Sequence, residues 1–390
     1  MKIAIYHNLP SGGALFHLSA VVHALKKSGH ILHFFAPSCA ERDFFSFMDV
    51  VDEHHSFPRE LWKPKIPWLN PFFYKKYLKD VIQQDEEIAH VINKGNYDAI
   101  YIGQCRIWTE PPLLQFLNKN IKKIIYCQEP KRSFYEKRFL DQIKAWPWWK
   151  KLWRLPTIEW MKQIQYNSIS KADLVLCNSE FSKRNISDAY HGIEAKVSYI
   201  GIDTKEFHPS KQPKKNTLVS VGALDPSKNH NMVIEVAGLT PNQQKFDVIL
   251  VTDRSYGNTA DQLKKRAKEL NVNLDIRVRV PTSELSQIYR ESFAVIYCPL
   301  MEPFGIVSIE AQASGTPVLG RNEGGVKETL IDGVGGYKLF DDPQEYAKHI
   351  ENWLKDSNEY HNICEMSRTH IEKNWDKEKL LAKTISHIET

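Results

Sequence analysis

Two carboxylates, Glu302 and Glu310, bracket what reads as the start of a helix in Glu302-Pro-Phe-Gly-Ile-Val-Ser-Ile-Glu310. An apolar run ends near Pro299, Pro303 and Gly305 make a loop, and a helix is predicted to open around Ile306. It stops at Gly315, with Pro317 just beyond. The first-turn amides of such a helix, at Gly305, Ile306 and Val307 beside Phe304, have no acceptors within the helix and suit a diphosphate. Carboxylates repel a diphosphate, so the two glutamates call for another target. Vicinal hydroxyls fit, because a carboxylate only accepts hydrogen bonds and a diol offers two donors. One glutamate would hold a ribose and the other a second sugar ring. The plainer alternative is a helix-capping Glu302 and a solvated Glu310.

A cation for the phosphates is at hand in Val221-Gly-Ala-Leu-Asp-Pro-Ser-Lys228, where Gly222 turns the chain out of a strand. As a compact point charge, Lys228 would neutralise phosphates and a leaving group; the alternative is a surface lysine at a helix start. Gly12 and Gly13 follow the first strand and let backbone approach a ligand closely. The full Gly-x-Gly-x-x-Gly fingerprint is missing, which argues against a nicotinamide dehydrogenase. Gln128 and Glu129 end another strand, in Ile124-Ile-Tyr-Cys-Gln128-Glu129-Pro-Lys-Arg132. Gln128 can donate and accept but cannot titrate near pH 7. His7, His17, His23, His30, His33, His54 and His55 match no zinc spacing, and the adjacent pair would point apart in a strand, so no metal is assigned.

These residues need a scaffold, and the dominant rhythm is an apolar run, a turn, then a helix-like stretch. Strands are predicted at 2–6, 31–36, 97–102, 121–127, 173–177 and 196–200, then at 217–222, 246–252, 275–280, 293–299 and 317–319. Helices between them, such as 14–28, 79–94, 228–239, 258–271 and 282–291, imply parallel sheets covered on both faces. A length of 390 residues suits two such cores. The polar stretch from Pro209 to Asn216 reads as the linker between them, with a ligand cleft at the carboxyl ends of the strands. No apolar run approaches the ~20 residues of a membrane span, and Met1-Lys2 leads into a strand rather than a signal peptide. Cys39, Cys105, Cys127, Cys177, Cys298 and Cys364 form no Cys-x-x-Cys pair and read as free thiols of a cytosolic protein.

Glu302-Pro-Phe-Gly, Glu310-Ala and Gly315-Thr-Pro-Val together resemble the donor-site signature of the family-4 retaining glycosyltransferases, which have the GT-B fold. Val221 to His230 resembles that family's diphosphate loop, and Ser11-Gly12-Gly13 its N-terminal glycine loop. Cys177 to Lys183 and Ile200-Gly-Ile-Asp203 resemble its interdomain crossover, and Gly324-Gly325 its second glycine loop. Trp375 with its helical tail resembles the terminal helix that returns to the first domain. The resemblance covers nearly the whole chain and is weak from about 40 to 120. It implies an α/β fold of two doubly wound Rossmann-like domains. Residues 1–205, with the helix 376–390 packing back, would take the acceptor through the 8–17 loop, the 57–77 insertion and the 128–134 loop. Residues 206–375 would hold a nucleotide-sugar donor. Glu310 would then bind ribose, Glu302 the sugar hydroxyls, and Lys228 with the amides at 305–307 the phosphates. The implied transfer is retaining and metal-independent, with no cofactor beyond the nucleotide-sugar substrate, and the leaving phosphate takes the acceptor proton. Two positions depart from the family pattern. Ala223 replaces an expected Arg, so that the second phosphate cation is either missing or supplied elsewhere, with Arg321 the candidate, and Gln128 replaces a His that contacts the donor sugar. Lys228-Asn-His and the segment 126–132 look closest to mannosyltransferases that use a GDP-sugar, which favours GDP-mannose and leaves glucose, N-acetylglucosamine or rhamnose, GDP- or UDP-linked, as alternatives.

Charge is uneven. Residues 1–215 hold 32 Lys+Arg against 22 Asp+Glu, and the remainder 20 against 25, so the halves call for different partners. Between Lys131 and Lys162 nine basic residues stand against three acids, and five of the ten tryptophans fall between Trp146 and Trp160. This segment reads either as core plus a solvated face or as an interfacial anchor on anionic lipid. No recognition module accompanies it, so nucleic acid is not expected. A lipid-linked saccharide acceptor suits the anchor, which would place the protein in the cytoplasm and peripherally on the cytosolic membrane face. Two other functions fit parts of the pattern: a GT-B epimerase of its own nucleotide-sugar, and a non-catalytic sugar-nucleotide-binding scaffold motivated by Ala223 and Gln128.

Overall fold

A computed structural model describes every residue except 43–45, 63–69, 242–244 and 256. The insertion expected at 57–77 therefore lies partly outside the described residues. The chain divides into two compact units, Met1–Tyr199 with Leu381–Thr390, and Ile200–Leu380.

The first unit holds β1 (Lys2–Asn8), β2 (Ile31–Pro37), β3 (Glu53–Phe57), β4 (Ala99–Cys105), β5 (Lys122–Tyr126), β6 (Leu174–Cys177) and β7 (Ala195–Val197). They pair in parallel in the order β3-β2-β1-β4-β5-β6-β7. In β1, Ile3, Ala4, Ile5 and Tyr6 are all fully buried, as a strand covered on both faces requires. The second unit holds β8 (Lys215–Val221), β9 (Asp247–Thr252), β10 (Leu274–Val278), β11 (Ser292–Tyr297), β12 (Val318–Arg321) and β13 (Gly336–Leu339). Its order, also parallel, is β10-β9-β8-β11-β12-β13. Each order reverses beside the unit's first strand, between β1 and β4 and between β8 and β11. Doubly wound sheets bind ligands at such reversals.

Strands β3 and β13 are absent from the sequence reading. The first, Glu-His-His-Ser-Phe, is polar and half exposed, and the second opens on a glycine. Both are edge strands, where one-sided pairing leaves little apolar alternation to detect. The stretch Pro209–Asn216 is not the boundary; the units part between Tyr199 and Ile200. Ahead of that stretch, Ile202 bridges to Asp376 and Phe207 is buried against Tyr289. Within it, Lys214 donates to Thr316 Oγ1 at 2.7 Å, and a side chain on Gly315 would meet Pro209 at 3.1 Å. Proline and charge there mark a packed surface segment of the second unit.

The last helix, Lys377–Glu389, starts in the second unit, and its final turns belong to the first. Ile385 and Ile388 enter the core around Ile3, Leu25 and Tyr126. Lys122 Nζ donates to the Ile388 carbonyl at 2.9 Å. All six cysteines are free thiols, four of them buried. Among the described residues no helix is long and apolar enough to cross a membrane.

Candidate functional site

The reversal between β8 and β11 is where the second unit gathers its charged residues. Strand β8 ends at Val221, and Gly222 follows at φ 150, over which the Lys228 stem is laid; a Cβ there would meet Lys228 Cγ at 3.3 Å. Asp225 caps the short turn Pro226–Lys228, accepting from the Ser227 amide at 2.8 Å. Behind the turn His230 is buried between Ser220 Oγ at 2.9 Å and the Ala223 carbonyl at 3.1 Å. Burial lowers its pKa to about 4, so the ring is neutral. A carbonyl only accepts, so Nε2–H donates to Ala223 and Nδ1 accepts from Ser220. The backbone of Ala223 thus anchors the loop, although its side chain supplies no cation.

Strand β11 delivers the glutamates. Lys228 Nζ donates to Glu302 Oε2 at 2.7 Å, both side chains partly buried. The amide of Leu300 donates to the Ser227 carbonyl at 2.7 Å, tying the two loops together. The helix Ile306–Ala313 is capped by Gly305 at φ 107, with no side-chain cap. Glu302 is therefore an ion-pair partner rather than a helix cap. Glu310 is buried rather than solvated, and Tyr289 O–H donates to its Oε2 at 3.1 Å. Burial pushes the Glu310 carboxyl up to about 8, against the lowering effect of the Tyr289 bond.

Gly324 and Gly325 have a reason within the fold. A Cβ on Gly324 would meet the Glu302 carbonyl at 2.5 Å, and one on Gly325 the Pro303 carbonyl at 2.3 Å. The Gly325 amide donates to the Glu302 carbonyl at 2.7 Å. These glycines let one backbone lie on another and so hold Glu302 in place. Phe304 is packed inward against Trp375, with ring centroids 5.5 Å apart, and Val307 is buried. Only their backbone groups can meet a ligand. The Arg321 guanidinium, expected as a second phosphate cation, lies 2.7 Å from Glu323 and 2.7 Å from Asp341. Asp341 also accepts from Asn229 at 3.2 Å, so the loops after β8, β12 and β13 share one polar network.

In the first unit Gly12, at φ 134, caps the helix Gly13–Lys27 without a side-chain bond. Gly13 is exposed, and a Cβ there would meet nothing within 4 Å. Gln128 follows β5 and is half-buried. At the next residue, the Glu129 carbonyl accepts from the Gln104 amide at 2.7 Å, and the Glu129 carboxylate pairs with Arg132 at 2.6 Å. Sequence reasoning missed Glu110. Its buried carboxylate accepts from Tyr190 O–H at 2.6 Å, from Gln165 at 2.9 Å and from the Cys127 thiol at 3.3 Å, and burial raises its pKa to about 7. These partners are scattered along the chain, so no local pattern signals the cluster. The pairing of β2 with β3 places His33, Glu53 and His55 with ligating atoms within 4.8 Å of one another. Glu53 Oε2 lies 3.2 Å from His33 and 3.5 Å from His55, a grouping hidden until the edge strand is known.

Comparison with known proteins gives the family and the fold. Residues 11–206 match the family model described as Glycosyltransferase Family 4, and residues 201–370 the one described as Glycosyl transferases group 1. An alpha-1,3/1,6-mannosyltransferase of Neurospora crassa is 25% identical over 62% of this chain and 59% of its own. A D-inositol 3-phosphate glycosyltransferase of Frankia alni is 25% identical over 48% of this chain and 51% of its own. The chain thus spans little more than half the length of these curated relatives. Among solved structures, Anabaena HepE in complex with UDP and glucose superposes with a TM-score of 0.72 at 17% identity, over 100% of both chains. Sucrose-phosphate synthase of Thermosynechococcus elongatus gives 0.74 at 16% identity, over 100% of this chain and 98% of that one. The two parallel α/β units have the GT-B fold. By fold and by the match over its first half, the chain belongs to glycosyltransferase family 4.

Proposed function

We propose that the chain transfers a sugar from a nucleotide donor to a hydroxyl of a glycan or lipid-linked saccharide, with retention of configuration and without a metal. The Lys228–Glu302 ion pair, together with the buried Glu310 and a helix start that has no side-chain cap, carries this reading. An arriving diphosphate competes for Lys228 and releases Glu302 to accept from sugar hydroxyls. Lys228 and the amides of Ile306 and Val307 then face the charge that develops on the leaving phosphate. Glu310 accepts from the ribose diol. The acceptor oxygen attacks the anomeric carbon on the face the phosphate leaves, and that phosphate takes the acceptor proton. The first unit is assigned the acceptor, through the 8–17 loop, the 57–77 insertion and the 128–134 loop. GDP-mannose is the preferred donor, supported by the segments around Lys228 and Gln128 and by the mannosyltransferase among the relatives. The solved neighbour named with UDP and glucose makes UDP-glucose the competing donor.

Melting curves with GDP, UDP and their sugars rank base and sugar together, because a ligand of the native state raises its melting point. The largest rise is expected with GDP-mannose; a larger rise with a UDP-sugar overturns the donor assignment. Product NMR tests retention, and an anomeric configuration opposite to the donor's overturns it. Turnover is expected to persist in EDTA, and its loss would overturn metal independence. Lys228→Met is expected to lower kcat by about 10²–10³-fold, the cost of losing one group that stabilises transition-state charge. Its melting temperature should fall as well, since the substitution takes away the salt-bridge partner of a mostly buried Glu302.

A further inference from the structure

The first unit contains a cavity of about 510 Å³, lined in part by the 57–77 and 128–134 segments and by neither Gly12, Gly13 nor Gln128. This is within the range of about 300–1,000 Å³ typical of small-molecule sites. Phe134, Phe139, Ile143, Trp146, Ile158 and Met161 make its walls mostly apolar. Lys131 and Arg154 also line it, and no carboxylate does. Neither cation forms a salt bridge among the described residues, and the buried Glu110 carboxyl acts on Lys131 only at longer range. Lys131 Nζ donates to the Ile107 carbonyl at 2.8 Å, and the Arg154 guanidinium lies over the Trp146 ring at 5.5 Å.

The rim is equally one-sided. The helix Trp148–Ile169 leaves Trp148 76%, Trp149 55%, Leu152 65% and Trp153 69% exposed. Spaced i, i+1, i+4 and i+5, they form one face of its first turns. Trp153 belongs both to this face and to the cavity lining, so the exposed apolar patch runs into the cavity. A contiguous apolar patch bordered by cations marks an interaction surface. An apolar chain carrying a phosphate satisfies both halves of the lining; a sugar would leave the aromatic walls unmatched, and an uncharged lipid would leave the cations so.

We propose that this cavity binds the hydrocarbon chain of a single-chain lipid phosphate, with Lys131 and Arg154 on the phosphate. That this lipid is part of the acceptor rests on the transferase reading above; the binding itself does not.

The test is calorimetric titration of the full chain with octyl, nonyl and decyl phosphate below their micelle-forming concentrations. Saturable one-to-one binding is expected, tightening about fourfold per methylene. Decanol should bind at least about tenfold more weakly than decyl phosphate, the step of one lost charge contact, and inorganic phosphate, which lacks the whole chain, more weakly still. Thr157→Trp fills the cavity and should weaken decyl phosphate by at least about tenfold. Its melting response to nucleotide should match the wild type's. Phe139→Ala, which removes one wall, makes the same check should Thr157→Trp fail to fold. Unchanged binding in both variants, or binding only at micellar concentrations, overturns the proposal, and equal affinity for decanol overturns its anionic part. Lipid phosphate binding in a chain that ignores every nucleotide would sink the transferase reading and leave the cavity site standing.

Discussion

Glu310 shows how a single burial changes what a motif residue does. A carboxyl held at about 8 by burial is neutral at pH 7 in the ligand-free chain. A ribose diol donates, and therefore favours the ionised form. Nucleotide binding should then release a proton and tighten as pH rises towards 8. Calorimetry in buffers of different ionisation enthalpy reads this directly, and Glu310→Gln should abolish the proton release; wild-type affinity that ignores pH would refute the ribose role. The same shift acts on stability in the opposite sense. Because the folded carboxyl lies above its ordinary value of 4.5, the stabilisation is complete below that pH and is lost as pH rises through about 8. Glu110, raised to about 7, adds to the same trend. Gly13 makes a cleaner probe, since nothing in its own unit forbids a side chain. Gly13→Ala should leave the melting temperature unchanged or slightly higher, and raise KM for donor or acceptor several-fold. Unchanged kinetics would exclude a close ligand approach at that glycine. Neither property is written in residue type, because Glu310 and Gly13 are ordinary letters until burial and open space are known.

At the scale of elements, the helix Trp148–Ile169 was legible as aromatic and basic, with two readings open. Met161, Gln165, Ser168 and Ile169 are buried in its second half, whereas its first turns expose three tryptophans and a leucine. The exposed face is the one that a proposed contact with an anionic lipid surface would use. Changing Trp148, Trp149 and Trp153 together to Ser should cut co-flotation with anionic liposomes by at least about tenfold, with no fall in melting temperature, because exposed side chains contribute little to the core. Flotation at wild-type level would rule the anchor out. The edge strands β3 and β13 illustrate the reverse case. Neither has a pattern of its own, and each exists because a neighbouring strand offers a free hydrogen-bonding edge.

Over the whole molecule the chain leaves its first unit near Tyr199 and returns to it at Leu381. The return is a packing requirement, since Ile388 is fully buried in the core that contains Ile3 and Leu25. Ile388→Ala should cost about 2–5 kcal/mol, read as a lower urea midpoint for the first unit. A variant as stable as the wild type would show that the terminal turns are dispensable. Alternating apolar runs and helical stretches were enough to establish parallel α/β sheets, and the spaced motifs around Glu302, Lys228 and Gly12 were enough to establish the family. Those signals are local, set by periodicity of 2 or about 3.6 residues and by turn chemistry. What only the tertiary structure decided depends on residues far apart in the chain: the Lys228–Glu302 pair, Gly324 seated on the Glu302 backbone, Arg321 held by Asp341, and the Tyr190–Glu110 bond. Each turns on a distance or a desolvation that arises when strands β8, β11, β12 and β13, or the elements around β5, come side by side. Linear spacing carries no trace of that.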